Sequence, residues 1–296
     1  MVDNADTKAP DTLQALLSLE TIEHNLFRGL SRPSMAPQVY GGQVMAQALV
    51  AAYKTVDNAM IAHSMHCYFL RGGDMANPII YEVERTRDGR AFSSRRVIAI
   101  QHGRQIFNMS ISFQLEEEGY NHQRPTPTGA KPADLPYPDN IFEKHLKKLG
   151  IEYPPERNPA WFFDIRIDGP KPKLKPVAQE PKYKIWFKLK EEFTKDRCYQ
   201  QAALAYASDL RLLGISLLPH AVGFNPNMRM ATIDHSIWLH RDFDICEWQL
   251  FSMESPNASG ARGLSFGHIY TETGTLVATC TQEGLIRPPP KEKIKS

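Results

Sequence analysis

The chain predicts an α+β fold in which one helix packs on an antiparallel sheet, built twice in succession. Three observations predict it. A helix-like segment followed by strand-like segments occurs in each half. Landmarks recur at a nearly fixed offset: Phe-Leu-Arg ending at Arg71 answers Trp-Leu-His-Arg ending at Arg241, 170 residues on, and Gly103 answers Gly274, 171 residues on. Between the halves, residues 121–181 hold 12 of the 22 prolines, and proline interrupts both helical and sheet ladders.

In the first half, residues 42–55 place Val44, Ala48 and Ala51 near one helical face, small enough for close contact with a sheet. Strands are expected at 63–70, 79–87, 92–101 and 104–115, with hairpin turns at Asp88-Gly89 and His102-Gly103. In the second half a strand is expected at 185–190 and a helix at 197–212. Further strands follow at 233–239, 248–255, 262–270 and 276–286, with a turn at Thr273-Gly274. Within the proline-rich break, 140–149 has a short helical pattern and 161–167 reads as the opening strand of the second half. The lysine-rich run 171–184 reads as a solvated loop. The expected domains are therefore 8–118 and 158–290, joined by a linker at 119–157 and followed by a flexible tail at 291–296.

Composition narrows the function. The 296 residues are 42% apolar and 23% charged, enough to bury a core and too apolar for a disordered chain. Lys and Arg number 35 against 33 acids, a balance that argues against a nucleic-acid-binding surface. Cys67, Cys198, Cys246 and Cys280 are scattered without metal-ligand spacing, so they read as reduced thiols. No apolar run is long enough for a membrane span. The first twelve residues lack the pattern of a secretion signal, and the last three are not the Ser-Lys-Leu address. No G-x-S-x-G elbow is present, which argues against a serine nucleophile.

Seven segments, in order, carry a resemblance: VYGGQV (39–44), AHSMHCYFLRGGD (62–74), RDGRAFSSRR (87–96), YASDL (206–210), ATIDHSIWLH (231–240), SGARGL (259–264) and TQEG (281–284). Each is weak alone; together they resemble the acyl-CoA thioesterase II family across residues 13–287. The resemblance implies a double hotdog, in which each domain wraps a curved antiparallel sheet around a central helix. It also implies hydrolysis of fatty acyl-CoA to fatty acid and coenzyme A without a cofactor, a homodimer or homotetramer, and a cytoplasmic or peroxisomal protein.

The resemblance carries the family's catalytic trio onto Asp209, Thr232 and Gln282, its Gly-Gly-Gln motif onto Gly41, Gly42 and Gln43, and a histidine once linked to activity onto His63. Asp209 suits a base that takes a proton from water, and Thr232 and Gln282 suit groups that orient it. A helix aspartate that pairs with Arg211 and ordinary strand polarity for the other two remain the structural alternatives. Gly41 and Gly42 precede a helix whose free N–H groups and dipole suit a developing oxyanion, or else form a packing turn. Strand alternation places His63 and His66 on opposite faces, and His63 and His235 read as supporting residues. Arg95, Arg96 and Arg262 are candidates for the coenzyme A phosphates, or else solvated strand residues or members of intradomain ion pairs. Two other classes stay open: a hotdog hydratase or dehydratase, and a noncatalytic acyl-CoA-binding protein.

Overall fold

The computed structural model describes residues 9–138, 141–148, 150, 152, 154–169, 176–222 and 228–288. The first half contains α1 (Leu13–Leu17), β1 (Glu20–Glu23), β2 (Leu26–Gly29), α2 (Gly41–Tyr53), β3 (Met60–Phe69), β4 (Ile79–Asp88), β5 (Phe92–Gln101) and β6 (Arg104–Leu115). A connecting stretch carries α3 (Ile141–Lys148) and short 3-10 turns. The second half contains β7 (Phe163–Asp168), β8 (Lys182–Leu189), α4 (Arg197–Ser208), β9 (Arg229–Leu239), β10 (Gln249–Ser259), β11 (Arg262–Thr271) and β12 (Leu276–Arg287).

All twelve strands form one antiparallel sheet in the order β1-β2-β4-β5-β6-β3-β9-β12-β11-β10-β8-β7. The order reads the same from either end if β3 answers β9 and β6 answers β12. The two halves meet where β3 pairs with β9, and there His66 faces Ser236. These two residues are separated by the same 170 positions as Arg71 and Arg241, so the local two-fold axis passes through that pair.

The concave face wraps α2 and α4. Residues Gly42–Ala52 of α2 and Gln200–Ser208 of α4 are buried on every side, because one flank of each helix meets the sheet and another meets its partner helix. Small side chains make this approach possible: Ala46, Ala48, Ala51, Ala202, Ala203 and Ala205 are completely buried. Arg197–His220, α4 together with the 3-10 turns after it, is the one described stretch apolar and long enough to suggest a membrane span. Its apolar side is instead packed inside this core.

Three expectations need correction. The second helix was expected to run to residue 212 but stops at Ser208. Asp209 is its C-cap, and Arg211 then takes a left-handed backbone with φ 68°. The short edge pair β1 and β2 was not expected, since β1 is exposed throughout and shows no alternation. His63 and His66 do not lie on opposite faces. A bulge between Ala62 and Ser64 inserts His63 as an extra residue, shifts the alternation by one, and leaves both rings on the outer face.

Within the expected linker, the segment 119–131 packs against the second half. It crosses the outer face of the second half, where Trp186 Nε1 donates to Ala130 O at 2.9 Å and Arg241 Nη2 to Asn121 Oδ1 at 2.5 Å. Of the lysine-rich run, 171–175 lies outside the described residues, while Lys182 and Lys184 belong to β8. The expected tail at 291–296 also lies outside the described residues.

Candidate active site

The ends of α2 and α4 meet beside the β3–β9 seam, and this meeting builds the site. At its C-cap position, Asp209 turns its carboxylate toward the start of α2. Gly42 N–H donates to Asp209 Oδ2 at 2.9 Å. The N-cap of α2, Tyr40, supplies no side-chain hydrogen bond, whereas Asp196 caps α4 by accepting from Cys198 N at 2.8 Å. Asp209 therefore caps α2 from the other half of the molecule, in the place an N-cap aspartate would fill.

Two strand residues reach the other carboxylate oxygen. Gln282 Nε2 donates to Asp209 Oδ1 at 2.5 Å and to Thr232 Oγ1 at 2.9 Å, while Thr232 Oγ1 stands 3.5 Å from Asp209 Oδ1. A second bulge makes this possible. In the β9–β12 ladder Glu283 faces Asp234 and Gly284 faces Thr232, which leaves Ile233 as the extra residue and turns Thr232 inward beside Gln282. The same bulge in the first half places Ala62 where Thr232 stands. Met65 matches His235 there, and Ile111, opposite Met65, takes the place of Gln282. The C-cap of α2 is Lys54 rather than an aspartate. Duplication copied the frame and left the trio in one half.

The side chain of Asp209 is partly accessible, yet burial is the largest influence on it and raises its pKa to about 6. The hydrogen bonds from Gln282, Gly42 and Thr232 pull in the opposite direction. The result is a carboxylate poised to exchange a proton near neutral pH. A Cβ at Gly41 would sit 2.9 Å from Asp209 Oδ2, so bare backbone at that position keeps the carboxylate's flank open. Among the described residues no cluster of three or more His, Cys, Asp or Glu has the arrangement of a metal centre.

The other sequence candidates fall elsewhere. Gln43 is buried and braces the approach to α2, accepting from Arg32 N at 3.2 Å and donating to Leu30 O at 3.4 Å. His63, on the outer face, lies within hydrogen-bond distance of Ser112 Oγ at 2.8 Å, so the sheet separates it from Asp209. Arg95 is 1% exposed and commits its guanidinium inside the first half: to Thr55 Oγ1 and O, Arg87 O, Ser94 O and Asp88. It has no donor left for a phosphate. Arg96 and Arg262 are half-exposed and pair with Glu84 at 3.6 Å and Glu283 at 3.1 Å. Truncating Arg95 to Met is expected to cost about 2–4 kcal/mol of stability, from the stranded carbonyls and the void, with KM for acyl-CoA unchanged. Chemical denaturation and initial rates on the folded variant check both halves of that statement.

Two polar neighbours were not singled out from the sequence. Ser208 precedes Asp209 and is buried, and Ser265 faces Gln282 from β11 with a buried hydroxyl. Ser208 sits within YASDL as one more residue of a helix end, and the place of Ser265 shows only once the ladder register is known.

Comparison with known proteins decides the family. Residues 30–114 match the family model described as acyl-CoA thioesterase N-terminal domain, and residues 169–285 match that described as acyl-CoA thioesterase. Acyl-CoA thioesterase 2 of Haemophilus influenzae is 42% identical over 280 residues, covering 92% of this chain and 96% of the relative. The chain belongs to the acyl-CoA thioesterase family. Acyl-coenzyme A thioesterase 8 of Homo sapiens is 37% identical across 93% of this chain and 89% of its own length. The crystal structure of acyl-CoA thioesterase II TesB2 from Mycobacterium marinum superposes with a TM-score of 0.78 at 36% identity, covering 94% of this chain and 99% of that one. This thioesterase is thus a double hotdog, and its activity is hydrolysis of acyl-CoA thioesters.

Proposed function

We propose that this thioesterase releases fatty acid and coenzyme A by direct attack of a water that Asp209 deprotonates. The observation that carries the reading is the Asp209 carboxylate at the junction of the two helices, held by Gly42, Gln282 and Thr232 with its pKa near 6. The water oxygen bonds to the thioester carbonyl carbon as its proton passes to Asp209. The tetrahedral intermediate then collapses with loss of the thiolate, and Asp209 returns the proton to sulfur, so the enzyme ends unchanged. Gln282 spends both amide hydrogens on Asp209 and Thr232, which fixes the plane in which the carboxylate faces the water. Once protonated, Asp209 has less hold on the Gly42 N–H. That amide, at the positive end of α2, then suits the oxyanion.

A hydratase or dehydratase is not favoured, because among the described residues the one histidine beside the trio, His235, is buried rather than open to a substrate. Release of thiol from a series of saturated acyl-CoA substrates tests the reading, since a hydratase has no reaction on them. Single-turnover hydrolysis in ¹⁸O-water tests for a covalent route in which water attacks the Asp209 carbonyl of an acyl anhydride. Label in the fatty acid after the first turnover supports water, and label in Asp209 would replace it with a carboxylate nucleophile.

Gln282→Leu is expected to lower kcat by about 10²-fold and Thr232→Val by about 10-fold, because each removes a hydrogen bond that orients the base or its water. Steady-state kinetics on both variants checks the order. Exposed Tyr68, Leu70 and Trp238 near the seam support self-association into a homodimer or homotetramer. Light scattering that returns one chain's mass, 33.6 kDa, at every concentration would overturn that assignment.

A further inference from the structure

Next to the residue that precedes Asp209 lies a buried histidine that the hydrolytic scheme does not use. His235 is 1% exposed and stands on β9 directly opposite Gln282 of β12 and Cys67 of β3. Its Nε2 lies 3.1 Å from Ser208 Oγ, and Ser208 is the residue before Asp209. We propose that His235 and Ser208 form a neutral positioning pair that holds Asp209 and Gln282 at their working separation. The inference rests on the reading of Asp209 as the base.

The hydrogen-bond directions define the tautomer. Ser208 Oγ–H is spent on Ala205 O at 2.8 Å, inside the last turn of α4. The serine oxygen therefore accepts, and His235 donates from Nε2. In the neutral ring Nδ1 is then an acceptor. A second proton would go on Nδ1, which is buried and faces no hydrogen-bonding group among the described residues. Burial pushes the imidazole pKa down to about 3, in agreement with that geometry. His235 stays neutral at any pH where the enzyme works, so it carries no proton for the reaction.

What it supplies is a link between elements. Through its ladder position it fixes the strand opposite Gln282, and its carbonyl accepts from Cys67 Sγ at 3.2 Å, across the seam between the halves. Through Nε2 it fixes the last turn of α4, from which Asp209 leaves as the C-cap. The helix ends there without a continuing ladder, so the Ser208 backbone is where the carboxylate's aim is set. The Gln282–Asp209 contact thus spans two elements that His235 ties together one residue behind the reacting groups.

Thiol release by wild type, His235→Leu, His235→Gln, Ser208→Ala, the double variant His235→Leu/Ser208→Ala and Asp209→Asn tests the pair. His235→Leu is expected to lower kcat by about 10–100-fold with KM within about 3-fold, the cost of a small misplacement of catalytic groups. Gln presents an amide N–H at similar reach to Nε2, and His235→Gln is expected to return to within about 5-fold of wild type. Ser208→Ala is expected to lose activity to a similar extent, and the double variant to be no worse than the weaker single one. A Gln variant as inactive as the Leu variant would overturn the proposal, since the imidazole itself would then be required. So would a Leu variant at wild-type rate. If His235→Leu does not fold, a Ser208→Ala variant at wild-type kcat overturns the proposal equally. Asp209→Asn separates the two readings: if it stays active the base assignment fails. If it is dead while His235→Leu is fully active, only the positioning role fails.

Discussion

Replacing Asp209 with Asn is expected to abolish hydrolysis and, above about pH 6, to make the protein more stable. The first effect follows from removing the proton acceptor, a loss of about 10²–10⁴-fold in kcat for a positioned general base. The second follows from the sign of the pKa shift. The Asp209 carboxyl titrates at about 6 rather than its ordinary 3.8, so the folded protein holds that proton more tightly than the unfolded chain. Stability therefore falls as pH rises from about 4 to about 6, and the ionised carboxylate is a net cost above that window. Two pKa units correspond to at most about 3 kcal/mol, and partial exposure reduces this to about 1–2 kcal/mol. The Asn variant also has somewhere to put its amide. Gln282 Oε1 is buried and lacks a partner among the described residues, and a flipped Gln282 can accept from the new N–H.

Melting curves at pH 4 and pH 8 check the prediction. The variant should match wild type at pH 4 and exceed it by a few degrees at pH 8. The pH profile of wild-type kcat/KM should rise through about 6 and then level, because the base must be ionised in the free enzyme. A stable variant with a tenth or more of the wild-type rate would remove Asp209 from the chemistry.

How much of this was legible in the sequence depends on what each feature needs as a partner. The hairpins were readable because their turns are local: His102 and Gly103 take φ of 50° and 68°, and Gly274 takes 91°, positions for which Gly is suited. The duplication was readable because the 170-residue offset is a property of the chain, and the paired His66 and Ser236 repeat it in space. The bulges were not readable. An extra residue at His63 or Ile233 is extra only relative to the strand beside it, and a single sequence holds no register. For that reason the motif brought Thr232 and Gln282 to attention while their common orientation stayed hidden.

The burial of Arg95 was overlooked for a different reason. The residue was read as half of a basic pair with Arg96, although alternation along β5 already aligns Ser93, Arg95, Val97 and Ala99 on the buried face. The pattern places a charge on the inner face, a cost that only the partners of that charge can offset. Five committed donors remove that cost. The end of α4 was obscured by composition. The residues that follow, Leu210, Leu212 and Leu213, continue an apolar helical pattern while the backbone has already turned at Arg211.

The same junction makes Gly42→Ala the second substitution with a large expected effect. A Cβ at Gly42 would lie 2.5 Å from Tyr206 O and 2.5 Å from Tyr40 Cε1. The first is a backbone carbonyl in a buried helix, so it cannot rotate away. The second belongs to a ring held in place by its own hydroxyl, which donates to that same carbonyl at 3.0 Å. Relief requires α2 and α4 to move apart, and that movement lengthens the Gly42 N–H to Asp209 bond. Stability should fall by about 2–3 kcal/mol, the usual cost of overpacking a dense contact. Activity of the folded fraction should fall by about 10²-fold, because the carboxylate loses the Gly42 N–H and the oxyanion donor leaves its position. A Gly41→Ala variant provides the comparison. Its Cβ would approach Asp209 Oδ2 at 2.9 Å and the Phe69 ring at 3.1 Å, both side chains with some freedom, so it should lose more activity than stability. Equal effects of the two substitutions on stability would show that the helices do not need bare backbone where they cross. The two-half frame would then be looser than the contact between Gly42 and Tyr206 requires.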